Sequence, residues 1–138
     1  MSSNELKARL LQAIDSGSVF AGTEEVIEAL ETSGGGLDAV RTILVFMEDH
    51  GSVDFGAPGP LVHFVERFYK NGYEALLLES VRRRPTGHTL WMLNRVLNGT
   101  KLPAERHPMI ETLKLAVEHD QADEVTRKEA THFLSLHT

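Results

Sequence analysis

Apolar residues recur along this chain at three- and four-residue spacing, and no stretch alternates apolar and polar residues as a half-buried strand does. The spacing predicts eight helices with short connections. The first covers residues 4–15, with Leu6, Leu10, Leu11 and Ile14 on one face, and Ser16-Gly17-Ser18 breaks it. Thr23 is expected to cap the second, whose Val26, Ile27 and Leu30 face inward while Glu24, Glu28 and Glu31 lie at i, i+4 and i+7 on the outer side. Ser33 to Gly36 is a flexible stop. The third, 37–50, carries Val40, Ile43, Leu44, Phe46 and Met47 and is expected to be the most buried.

Phe55-Gly56-Ala57-Pro58-Gly59-Pro60 forces a turn and opens the fourth helix, 61–70, because proline in a first helical turn loses only an amide that had no partner. Asn71-Gly72 closes it. The fifth covers 73–83, with Arg82-Arg83-Arg84 complementing the dipole at its carboxyl end. Thr86 caps the sixth, 87–98, and Gly99 stops it; the seventh and eighth cover about 108–119 and 122–137 around Asp120-Gln121. The fold class is therefore all-α: about eight short antiparallel helices, as a HEAT-like α-solenoid or an irregular helical bundle.

At 138 residues the chain is read as one all-helical domain, 1–138. It has no cysteine, which removes disulfide frameworks and thiolate metal sites. The amino-terminal residues lack a continuous apolar core, and no apolar run approaches the ~20 residues a bilayer requires. A cytoplasmic protein without a membrane role is expected. Charge is distributed unevenly: residues 1–54 hold ten acids against three bases, net −7, and the remainder ten acids against eleven bases, net +1. The first part would repel nucleic acid and steer a basic partner, although such an imbalance also serves solubility.

Candidate chemistry fails on spacing. Glu129 and His132 form one Glu-x-x-His pair, but di-iron chemistry needs a second pair and further glutamates. His63 and Glu66 lie one turn apart with no nucleophile to activate, so a hydrogen bond on the helix surface accounts for them. Neither Gly34-Gly35-Gly36 nor Gly56-x-x-Gly59 has the strand or lysine of a phosphate loop. Arg82 to Arg84 could grip phosphate, yet a helix end beside Pro85 favours dipole complementation, and Trp91 and Met92 suit a core or groove wall. No metal or organic cofactor is expected. The concentration of Asp54, Pro58, Gly59, Pro60, His63, Tyr73, Arg84, Pro85, Thr86, His88 and Asn94 in one region reads first as a buried hydrogen-bond framework, with a ligand site as the alternative.

The Pro-Gly-Pro-Leu turn at 58–61, Gly72-Tyr73-Glu74, Arg84-Pro85-Thr86 and Trp91-Met92-Leu93-Asn94-Arg95 carry a resemblance. Across about Asp54 to Gly99 the chain resembles small, all-helical immunity proteins of bacterial contact-dependent inhibition and other polymorphic toxin systems. The resemblance implies a non-enzymatic cytoplasmic inhibitor that binds a cognate toxin domain and blocks its active site or the approach of its substrate. Toxin domains acting on nucleic acid present basic grooves, so the expected contact is acidic: Glu24, Glu25, Glu28, Glu31, Asp49 and Asp54. The alternative is a helical adaptor that holds a peptide or protein partner in a groove of the central helices, its acidity serving solubility.

The expectation of a cofactor-free protein has a direct test. Prolonged chelation with EDTA leaves the helical circular-dichroism signal and the melting temperature unchanged; a loss restored by a single added metal would overturn it.

Overall fold

The computed structural model describes every residue, Met1–Thr138. It is all-α, with eight helices: α1 (Ser3–Asp15), α2 (Val19–Ser33), α3 (Leu37–Asp49), α4 (Pro60–Glu66), α5 (Tyr73–Arg83), α6 (Gly87–Gly99), α7 (Pro103–Val117) and α8 (Glu124–Leu136). None is long and apolar enough to cross a membrane. The chain divides into two compact units, Met1–Leu76 and Leu77–Thr138, the division falling within α5.

In the first unit α1 packs against α2 and α3, and α4 packs against the same two helices. Its centre is built from Leu6 and Leu10 of α1, Leu30 of α2, Val40, Ile43, Leu44 and Met47 of α3, and Leu61 and Val65 of α4. Helix α3 buries most of its surface, as its apolar density predicts. Helices α1 and α2 approach closely because Gly22 has no side chain: a Cβ there would stand 2.8 Å from the Ala13 Cβ and 2.9 Å from the Ala13 Cα.

Helix α2 begins at Val19, four residues before the residue expected to cap it. Thr23 is buried inside the helix, and its hydroxyl donates to the Val19 and Phe20 carbonyls at 2.7 and 3.1 Å. A threonine that satisfies its own hydroxyl one turn back can occupy a helix interior as readily as a cap. Helix α4 ends at Glu66, short of the expected Lys70, because the chain tightens into successive i→i+3 bonds from Phe64 to Asn71. Lys70, at φ 65°, is held in this turn by the Glu74 carboxylate, which accepts from its amide at 2.9 and 3.0 Å.

In the second unit α8 packs on α6 and α7, which also touch each other. Thr86 caps α6 as its sequence predicts, in a reciprocal box with Thr89. Helix α7 begins at Pro103, so Pro108 lies inside it and not at its start. Pro103 occupies the position where proline is free of cost, and Pro108 removes one further amide. The early turn is anchored by Arg106, whose guanidinium donates to the Leu97 and Thr100 carbonyls at 2.7 and 2.9 Å. Helix α8 starts at Glu124, capped by Asp123, which accepts from the Thr126 amide at 2.8 Å. The Thr126 hydroxyl, and then this backbone bond, hold the Asp123 carboxyl below its ordinary value.

Two histidines act as staples in the second unit. His119 Nε2 faces the Arg82 carbonyl at 2.6 Å, and its Nδ1 accepts from the Gln121 amide at 3.0 Å. The carbonyl only accepts and the amide only donates, so the two ring nitrogens play opposite roles in bridging them. His137 sits between Asn94 Oδ1, 2.7 Å from Nε2, and the Arg106 guanidinium, 3.3 Å from Nδ1. A guanidinium only donates, so it faces the Nδ1 lone pair and disfavours a proton there. Burial, and then the Arg106 charge, hold His137 below the usual histidine range.

The close approach predicts that Gly22→Val destabilises by about 1–3 kcal/mol through overpacking. Gly36→Ser, at the N-cap of α3 with no atom within 4 Å of a new Cβ, changes stability by less than about 0.5 kcal/mol. Denaturant unfolding of the two variants tests the contrast. For His137, the depressed folded value means that the unfolded chain binds the extra proton first as pH falls. Its contribution is therefore complete above pH ~6.5 and is lost as pH drops through that value toward the folded one. Between pH 7 and pH 5 the wild-type melting temperature falls further than that of His137→Gln; equal falls would refute the staple.

Candidate functional site

Helix α2 is built of two opposed faces. Thr23, Val26, Ile27 and Leu30 are buried, which fixes the rotation of the helix and turns Glu24, Glu28 and Glu31 outward along one stripe, with Glu25 on the shoulder toward α1. All four glutamates are exposed. Glu31 pairs with Arg67, beyond the end of α4, at 2.8 Å, so its charge is partly answered within the chain. Glu24, Glu25 and Glu28 have no such partner. With Glu24 and Glu28 on one stripe and Glu25 beside it, three unanswered carboxylates lie on two turns of one helix.

Asp49 and Asp54 are also exposed but belong to other elements. Asp49 ends α3, which packs on α1 and α4, and Asp54 lies in the loop beyond, where its carboxylate accepts from the Gly56 amide at 2.8 Å. No ion pair or hydrogen bond joins either to α2. Glu48, counted among the acids of this part of the chain, is turned inward and 4% exposed. The first unit nevertheless carries twelve acids against five bases, net −7, and the second eight against nine, net +1. The asymmetry in the sequence thus follows the division of the fold.

The residues expected to form one buried framework between Asp54 and Asn94 divide: Thr86 and Asn94 are bonded within the fold, whereas Asp54, His63 and Arg84 are exposed. The 55–60 turn seats Phe55 in the first unit's core against Phe46, ring centroids 6.1 Å apart, and a Cβ on Gly59 would collide with the Phe55 carbonyl. Tyr73 is buried in the same unit. In the second unit Thr86 caps α6, Asn94 holds His137, and His88 lies edge-on to Trp91 at 5.7 Å, with Arg95 over the Trp91 ring at 5.1 Å. Arg82 donates to the Thr112 hydroxyl at 3.2 Å. The Glu129 carboxylate lies against Gly87, where a Cβ would meet its oxygen at 2.8 Å, at the positive end of α6. No group of three or more histidines and carboxylates is arranged to hold a metal ion.

Starting α2 late hid one residue of this surface. Phe20 is 61% exposed, the most exposed large apolar side chain of the first unit, and stands one turn before Glu24 on the acidic stripe. Its spacing to Glu24 and Glu28 is visible in the sequence once the helix is allowed to begin at Val19. Comparison of this chain with protein families, with curated proteins and with solved structures finds no match.

Proposed function

We propose that this chain is an immunity protein: a cytoplasmic, non-enzymatic inhibitor that binds a cognate toxin domain with a basic substrate groove and neutralises it through the acidic face of α2. The observation that carries the reading is the set of Glu24, Glu25 and Glu28, exposed and without ion-pair partners on a unit of net charge −7. Like charges held side by side on a rigid helix repel one another, and a basic partner relieves that repulsion on contact. Supporting the reading further, Asp54, Asp123, His119 and His137 serve as caps and staples. Asp49 and Asp54 belong to the periphery of this contact at most, and Glu31 joins it at the expense of Arg67.

Exposed charges act mainly on the encounter rate, because they attract before contact and are screened by salt. Glu24→Lys combined with Glu28→Lys leaves the Glu31–Arg67 pair intact. Against a toxin domain encoded beside this chain and co-purifying with it, the double variant associates about tenfold or more slowly than wild type at low salt. The difference shrinks at high salt, and the melting temperature barely moves. Equal association rates at low salt would remove the α2 face as the contact.

A further inference from the structure

Beside the acidic stripe the first unit carries a groove of about 620 Å³ between α1 and α2. Its floor is Ala13, Gly22 and Val26; Arg9 and Gln12 stand on the α1 wall, Ala21 and Glu25 on the α2 wall. The groove follows from the close approach of the two helices, since residues without long side chains at the crossing leave the space above them open. Arg9 and Glu25 face the same space from opposite helices and form no ion pair with each other.

We infer that this groove seats an extended basic segment of the protein partner, with an arginine or lysine side chain against Glu25. The inference rests on the acidic-face reading and names the place where contact is made. The volume lies within the range of ~300–1,000 Å³ typical of ligand clefts, more than one side chain fills. The small apolar floor suits the aliphatic stem of a long cationic side chain, which buries its methylenes and keeps its charge at the rim. Glu24 and Glu28 flank Glu25 on the helix, so the potential on that wall favours a cation. On the other wall Arg9 and Gln12 offer donors to the carbonyls of an extended backbone. Phe20, exposed at the head of the stripe, supplies an aromatic anchor of the kind that dominates interface energies. An acidic segment would meet Glu25 in the groove, with the unpaired Glu24 and Glu28 beside it.

The probe is a short synthetic peptide, Gly-Arg-Leu-Arg-Gly, with Gly-Glu-Leu-Glu-Gly as its control, titrated at low salt into the full-length 15N-labelled protein. Saturable amide shifts at Gln12 and Gly22 with the basic peptide and none with the acidic one are expected. Ala21→Trp fills the groove from an exposed position and abolishes those shifts with an unchanged helical spectrum. Glu25→Gln, which changes no volume, weakens the peptide about tenfold. No saturable shift at Gly22, shifts confined to the outer stripe and indifferent to Ala21→Trp, or groove shifts that grow with protein concentration in the absence of peptide, which would mean a second copy occupies it, each overturn the inference. The two readings separate in the Glu24→Lys, Glu28→Lys protein. Peptide shifts at Gln12 and Gly22 that persist there at reduced affinity, with toxin association as fast as in the wild type, support the groove and count against the acidic face, whereas slowed toxin association in that variant together with no groove shifts in the wild-type protein does the reverse.

Discussion

The meeting of Gly22 with Ala13 is the constraint on which the first unit depends. Two helices can come this close only where one lacks a Cβ, and the 2.8 Å separation that a Cβ would have leaves no room for another side chain. That contact sets the inner face of α2 against α1, and the buried Thr23, Val26, Ile27 and Leu30 follow from it. The exposure of Glu24, Glu25 and Glu28 is then a geometric consequence of which residues are buried. On its other edge α2 is tied toward α4 by Glu31 and Arg67, so the unanswered carboxylates lie between a groove and an ion pair.

The second unit solves a different problem. The carboxyl end of a helix leaves carbonyl groups without intrahelical donors, and these must be met by side chains, turns or water. Here Arg106 meets those of Leu97 and Thr100, His119 meets that of Arg82, and Arg127 meets that of His119 at 3.0 Å. Part of the unit's basic charge is thereby directed at its own backbone. A tally of arginines would suggest an anion-binding surface; three of them are instead committed to carbonyls or, for Arg82, to a hydroxyl of α7.

Several features were legible because their causes are local. The 3.6-residue period, the Ser16-Gly17-Ser18 break and the Thr86 cap all act within one or two turns, and Gly17, at φ 80°, has the left-handed conformation its place in a break demands. Helix ends were less legible where a distant or ambiguous group decides them. Thr23 has the chemistry of a cap and of a helix interior alike, and its four-residue spacing to Val19 became relevant only once Val19 was helical. Pro108 resembles a helix start, yet α7 is extended back to Pro103 and secured by Arg106 bonding to α6. Of the six acids read as one surface, four share α2, while Asp54 is spent on a turn and Asp49 belongs to α3.

By itself the sequence determined that this protein is all-helical, that its acidity is concentrated in the first part of the chain, and that Glu24, Glu28 and Glu31 form an outer stripe. Those properties depend on residue order and helical periodicity alone. Only the tertiary structure decided that Glu31 is answered by Arg67, that Glu48 is buried, that Asn94 is bonded to His137, and that a groove opens beside the stripe. Each of these depends on a neighbour far away in sequence, and periodicity says which face of a helix is buried without saying what it is buried against.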